Sequence, residues 1–338
     1  MNYKPIQSNP QRVRESSTVY RSGDFAYRLD PCWAKFPDHL KGVEVLSGDC
    51  DREGNLIIST GNGRHPLVLF TAEGEFVRSF GEGLFCRAHG VFVTERNTIF
   101  VSDSSKTVHA VREISMDGAL IRNFGELGTP SESGIDTDAF MQLKRDGKLS
   151  VDAPWTELDD FFACLDTIQR AAGPFNRPCA MVAGPTGELF AADGYGNAAV
   201  HKFSAEGLHL KTWGGPGKEP GQFRLPHGVW VDRLNRVWVA DRENCRVQVF
   251  NTEGELLCVI DGLYKPADIW ADANFIYIGE LRGGLTILNL EFEIVAQLGY
   301  FGSPLMFHGI CGNASGDLFA FSLFHQKFRE NVMKLVRA

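Results

Sequence analysis

A unit of roughly 40 to 50 residues recurs along the chain, and this self-similarity constrains the fold more than any other feature. Each copy has a Pro or His turn, an apolar strand, an acidic or Gly turn, a second strand, a third strand and a Gly-bounded fourth. The clearest copy, LPHGVWVDRLNRVWVADRENCRVQVFNTEGELLCVIDG, runs from Leu225 to Gly262. Its Val/Trp/Val and Val/Gln/Val/Phe runs have the period of two of half-buried strands, and Asn251 to Gly254 supplies turn chemistry. Five further copies align with it: Gly42 to Gly83, Phe85 to Gly125, Phe175 to Gly217, Tyr264 to Gly299 and Phe307 to Ala338. Six such units in 338 residues predict a single all-β domain, a six-bladed β-propeller whose radial repetition leaves only short sheet edges. The last copy lacks a fourth strand, and residues 17–29 are expected to supply it and close the ring.

One stretch interrupts the pattern. Residues 128–174 form an insertion between the second and third blades that contains TELDDFFACLDTIQRAA. Its Leu158, Phe161, Phe162, Leu165 and Ile168 recur at three and four, which predicts an amphipathic helix that either roofs one mouth of the channel or pads its rim.

Composition narrows the partners. A net charge of −8 disfavours nucleic acid and anionic membranes, which require clustered Lys and Arg, and leaves small molecules or proteins as the expected partners. The polar start, Met1 to Tyr20, and the absence of a long apolar run predict a cytoplasmic protein. The eight cysteines are dispersed without a CxxC pair, which argues against a zinc ribbon or a disulfide scaffold.

Aligned at the strand that opens each unit, Leu46, His89, Cys179, His227, Ala267 and His308 share one position. Histidine thus occupies alternate blades, 120° apart in a sixfold ring. Three imidazoles entering at one axial height converge on a point, the geometry of a three-His metal site with an open fourth position. With nine histidines in the chain, chance produces such an alternation about once in several hundred sequences. Three neutral imidazoles suit zinc best among divalent ions, ahead of iron(II), cobalt or copper.

A second register follows the second strand, at Thr60 to His65, Asp103 to Ser105, Asp193 to Asn197, Asp241 to Asn244 and Gly279 to Arg282. Asp103, Asp193 and Asp241 read as turn caps that accept backbone N–H bonds. Tyr195 and Arg242 follow two of them and are candidates to face the metal, as an acid or base and as a charge stabiliser. His65, His109, His201 and His209 lie outside the ligand register and read as packed or solvent-facing imidazoles.

The repeats resemble NHL repeats, and Asp193 to Phe250 is similar to peptidyl-α-hydroxyglycine α-amidating lyases and their bacterial relatives. That family is a six-bladed propeller with zinc on three histidines. The resemblance carries these ligands to His89 in AHGV, His227 in PHGV and His308 in FHGI. It also carries a tyrosine base to Tyr195 in DGYGN, a catalytic arginine to Arg242 in ADREN and a pocket methionine to Met306. The reaction it implies is cleavage of the N–C bond of a carbinolamide, giving an amide and glyoxylate. The family's carboxylate-binding arginine aligns with Asn62, with Arg64 two residues along as the replacement in the substrate subsite. The acidic residue tied to a structural calcium in the lyase is Gly309 here, so the resemblance carries no calcium site over.

The leading expectation is a zinc-dependent lyase of a small hydroxylated compound. A zinc-dependent hydrolase of a lactone, ester or amide is the second, and a non-catalytic NHL interaction scaffold the third.

Overall fold

The computed structural model describes residues 19–148, 157–299, 305–322 and 331–338. Among them the strands form six antiparallel sheets arranged as the blades of a propeller, each with its first strand against the axis. Blade 1 comprises Val45–Cys50, Leu56–Thr60, Leu67–Phe70 and Phe76–Phe80, and blade 2 comprises Ala88–Val93, Thr98–Asp103, Ala110–Ser115 and Leu120–Phe124. Blade 3 is built from Ala180–Ala183, Leu189–Asp193, Ala199–Phe203 and His209–Gly214, and blade 4 from Pro226–Val231, Val237–Asp241, Arg246–Phe250 and Leu256–Ile260. Blade 5 follows with Pro266–Ala271, Phe275–Glu280, Gly284–Asn289 and Ile294–Leu298.

The sixth sheet joins the two ends of the described chain. Gly309–Gly312, Leu318–Phe321 and Val332–Arg337 are extended by Phe25–Asp30, which pairs antiparallel with the last strand from Tyr27 opposite Arg337 to Asp30 opposite Lys334. Val19–Ser22 pairs in turn with Phe25–Asp30, so the N-terminal segment contributes a hairpin of two strands rather than one.

Burial follows the alternation in sequence. The second and third strands are buried on both faces, as in LFAAD, AVHKF, VWVAD and RVQVF, because each blade packs against two neighbours. Outer strands such as Leu256–Ile260 are less covered, with Leu256 and Leu257 both exposed. Between blades 4 and 5, Trp238, Ile269, Ile276 and Ile278 interlock at no more than 1% exposure. Truncating one such side chain costs about 2–5 kcal/mol.

The carboxylates that end the second strands tie each blade's entry loop to its exit turn. Asp103 accepts from the Cys86 and Ser105 N–H groups at 2.7 and 2.9 Å, and Asp241 accepts from the Arg224 N–H at 2.7 Å and the Arg246 guanidinium at 2.8 Å. Asp193 holds the Asn176 N–H at 2.9 Å and lies 3.2 Å from His201 Nε2. All three are fully buried, so each satisfied pairing also avoids the cost of a stranded charge.

The insertion contains two short helices, α1 (Ala139–Arg145) and α2 (Glu157–Leu165). The sequence periodicity runs on to Ile168, but α2 stops at Leu165. The Asp166 N–H still bonds to the Phe162 carbonyl at 3.2 Å, Thr167 and Ile168 follow in a tighter turn, and the Asp166 carboxylate pairs with Arg224 at 2.9 Å at the entrance to blade 4. The side chain of Leu158 lies outside the described residues.

Candidate metal centre

Three histidines meet on the axis, two of them at irregularities of the innermost strands. The pairing of first and second strands slips between Ala88 and Val91 in blade 2 and between Pro226 and Val229 in blade 4. Such bulges turn a side chain that would lie in the pleat toward the hub. His308 stands just before the first strand of blade 6, its N–H bonded to the Phe321 carbonyl at 2.7 Å. The imidazole centroids form a nearly equilateral triangle with sides of 5.0, 5.1 and 4.7 Å.

Each imidazole is fixed by the blade that follows it. Nδ1 of His89 donates to the Cys179 carbonyl at 2.7 Å, that of His227 to Ala267 at 2.6 Å and that of His308 to Leu46 at 2.7 Å. The acceptors are the register mates in blades 3, 5 and 1. A carbonyl only accepts, so each Nδ1 carries the proton and each Nε2 presents a bare lone pair to the axis. A glycine follows every ligand and makes these bonds possible. A Cβ at Gly90 would lie 2.4 Å from the Cys179 carbonyl oxygen, one at Gly228 2.6 Å from Asp268 Cα, and one at Gly309 3.0 Å from the Leu46 oxygen. The repeated His-Gly pair therefore joins a ligand to the close approach of the next blade.

Electrostatics keep the ligands unprotonated. Burial first, and then neighbouring cationic groups, push His89 and His227 well below the ordinary imidazole value of 6.5 and His308 to about 3. The ligand atoms lie within 4.8 Å of one another. Tyr195 Oη is 3.0 Å from Nε2 of His89, 2.9 Å from that of His227 and 3.5 Å from that of His308. One phenolic proton serves one of three converging lone pairs, which leaves the hub with an excess of acceptors that a cation satisfies. The donor set therefore fits a divalent metal such as zinc.

Because these imidazoles are neutral through 6.5, protons compete with a metal only below that value. Affinity for zinc or cobalt(II), measured by direct titration, is expected to stay flat between about pH 8 and about pH 6. A steep loss across that window would show that the ligands titrate as ordinary histidines.

Around the hub the structure brings together Tyr195 and Arg242 and adds groups the sequence did not mark. Arg242 opens the 3-10 turn Arg242–Asn244, is buried, and places an N–H 3.5 Å from Tyr195 Oη. Its Nε is held at 3.1 Å by Glu243, itself bonded to Lys265 at 2.6 Å. Burial pushes the Tyr195 phenol up to about 12, against the pull of Arg242. The Phe161 ring of α2 packs 5.6 Å from the Tyr195 ring, and Phe162 lies under Lys265 and Arg224. The insertion thus roofs the tyrosine. Met306 is half-buried two residues before His308. Asn62 and Arg64 are not drawn to the hub: they sit in an exposed turn in which the Asn62 Oδ1 accepts the Arg64 N–H at 2.9 Å. Glu243 escaped detection because a carboxylate in a turn reads as solvated until burial is known. The Gly after each ligand was visible in the sequence and is the signal that would have found the inter-blade clasp.

Fold and site together define a six-bladed propeller enclosing a three-histidine hub. Residues 223–250 match the NHL repeat family model, within a chain that folds as a six-bladed propeller. It is 28% identical over 247 residues to NHL repeat-containing protein 3 of Homo sapiens, covering 70% of this chain and 60% of that protein. The matched region thus spans about three fifths of that relative's length. A Caenorhabditis elegans protein named "Probable peptidyl-alpha-hydroxyglycine alpha-amidating lyase" is 25% identical over 189 residues, 55% of this chain and 43% of that one. Among solved structures, a streptogramin B lyase superposes with a TM-score of 0.59 at 13% identity, covering 92% of this chain and 98% of that one, a likeness of fold. No helix among the described residues is long and apolar enough to cross a membrane.

Proposed function

We propose that the chain is a metal-dependent lyase, with zinc on His89, His227 and His308, that cleaves the N–C bond of a small carbinolamide. One observation carries this reading: three bare imidazole nitrogens face a tyrosine hydroxyl that a buried arginine also approaches. The similarity to an amidating lyase supports the reaction class.

A divalent cation on the three Nε2 atoms supplies a Lewis acid that polarises a coordinated oxygen and lowers the pKa of hydroxyl groups beside it. The residues of the chain do the rest. With its phenol ionised beside such a cation and Arg242, Tyr195 Oη takes the proton of the substrate hydroxyl; the C–O bond becomes a carbonyl as the C–N bond breaks, and the electron pair leaves with nitrogen. Tyr195 then returns the proton to the departing amide, so that amide and aldehyde are the only products. Arg242, held in place by Glu243, steadies the negative charge that develops on oxygen. The roof of Phe161 over Tyr195 favours a small substrate and limits water at the reacting atoms.

The test is incubation of zinc-loaded protein with an N-acyl α-hydroxyglycine. Release of the amide and glyoxylate in equal amounts, abolished by a chelator and restored by zinc, is the expected outcome. Protein that carries zinc but releases neither product from this or a neutral carbinolamide would remove the lyase reading.

A further inference from the structure

The strands that open the blades carry a second ring of side chains at the end of the channel away from the histidines. Phe92 and Trp230 stand three residues beyond His89 and His227, and Asp49 and Trp270 hold the same position in blades 1 and 5. That step carries them about 10 Å farther along the strands. The throat in between is lined by the three histidines, Asp49, Phe92, Trp230 and Asp268, and among the described residues its lining contains no lysine or arginine. Past Asp49, Phe92, Trp230 and Trp270 it opens into a cavity of about 960 Å³ at the far mouth, a volume suited to a small molecule. The Phe92 and Trp230 ring centroids lie 5.9 Å apart with planes inclined by 69°, and those of Trp230 and Trp270 lie 6.5 Å apart, inclined by 55°. All three rings are half-buried, so together they make an aromatic wall that turns from one ring to the next. The sixth blade braces its end: a Cβ at Gly312 would lie 2.5 Å from the Trp270 indole.

Two carboxylates in the throat are paired only with backbone. Asp49 accepts the Val93 N–H of blade 2 at 2.8 Å and the Cys50 N–H at 2.9 Å, and Asp268 accepts the Ile310 N–H of blade 6 at 3.1 Å and the Ile269 N–H at 3.0 Å. Burial pushes both up to about 7, with Asp49 adding to the rise at Asp268. Negative charge in this throat is therefore costly until a cation joins it.

We propose that the far mouth is a second binding site, separate from the metal hub, for a small alkylated ammonium compound whose cationic head sits against Phe92, Trp230 and Trp270 and is attracted by Asp49 and Asp268. Aromatic faces, those of tryptophan above all, attract cations, and an alkylated ammonium meets them with a shell of apolar carbon that carries positive charge. A metal ion fits less well. Calcium takes about six to eight oxygen ligands, whereas this wall is carbon and each carboxylate already gives an oxygen to the neighbouring blade. An unsubstituted ammonium wants an acceptor for each N–H, which the rings do not supply. The cavity continues the sign of the throat: among its described lining residues five carboxylates stand against three guanidinium groups, one of which, Arg122, is engaged by Glu113 at 2.5 Å. The site does not depend on the reaction at the hub.

The test titrates choline and its carbon isostere, the alcohol with a tert-butyl group in place of the trimethylammonium, calorimetrically into zinc-loaded wild type, Trp230→Leu, Trp270→Leu and Asp49→Asn. Both probes carry the same hydroxyl, so any coordination at the hub contributes equally to each. Choline is expected to bind wild type at least about 10-fold more tightly than the isostere, and either tryptophan variant to cut choline affinity by about 10-fold while the isostere loses far less. Asp49→Asn keeps an oxygen for the Val93 N–H and is expected to weaken choline alone, which keeps the test decisive should the tryptophan variants fold poorly. Choline that binds no more tightly than its isostere, a preference unchanged within about 2-fold in all three variants, or displacement of choline by calcium ahead of sodium at equal ionic strength would overturn the assignment. Turnover is not read, so either result leaves the lyase reading to its own test.

Discussion

His227→Ala is expected to lose the metal and with it all measurable turnover, while the protein stays folded. Disturbing a group that only orients a metal ligand costs about 10- to 100-fold in affinity, so deleting a direct ligand is expected to exceed about 100-fold. The imidazole is 3% exposed, and its Nδ1 donates to the Ala267 carbonyl of blade 5 at 2.6 Å. The hydrophobic seams that hold that blade, built around Trp238 and Ile269, do not include it. Elemental analysis of wild type and variant, with circular dichroism as the folding control, checks the expectation. Wild-type protein with no stoichiometric metal, or a variant that retains it, would favour the scaffold reading.

Tyr195→Phe is expected to lower kcat by about 10²- to 10⁴-fold, the usual contribution of a positioned acid or base, with KM little changed. Phenylalanine keeps the ring contact with Phe161 and the flanking guanidinium groups of Arg177 and Arg242, so packing and roof are preserved. Zinc content is expected to hold, because the three imidazoles are oriented by backbone carbonyls and not by the phenol. The two enzyme readings separate here. A hydrolase that attacks with a metal-activated water has no need of the Tyr195 proton relay and retains most of its activity, whereas the lyase does not.

The architecture was legible because each blade repeats the same local instructions. Alternating strands such as VWVAD and RVQVF, with a turn at Asn251 to Gly254, recur at a spacing that only a ring of similar sheets accommodates. The ligand set was legible for a related reason: once the repeats are aligned, His89, His227 and His308 share a register, and symmetry converts register into proximity. What escaped were groups defined by burial rather than by type. Glu243 looks like a solvated turn residue in sequence, and only the packing of neighbouring blades gives it a guanidinium and an ammonium to hold. The apolar spacing runs through Ile168 while α2 ends at Leu165, because Ile168 reaches the core from the turn that follows the helix.

The bonds from each imidazole to the carbonyl of the following blade reach beyond tautomer control. They cross three of the six seams of the ring, from blade 2 to 3, from 4 to 5 and from 6 to 1, and the last lies beside the sheet where the chain's two ends meet. A cation held by those rings would pull inward on alternate seams at once, like a drawstring. Peeling the N-terminal hairpin from its sheet would then slacken the sixth blade's imidazole first, which would make closure of the circle and retention of the ion one cooperative property.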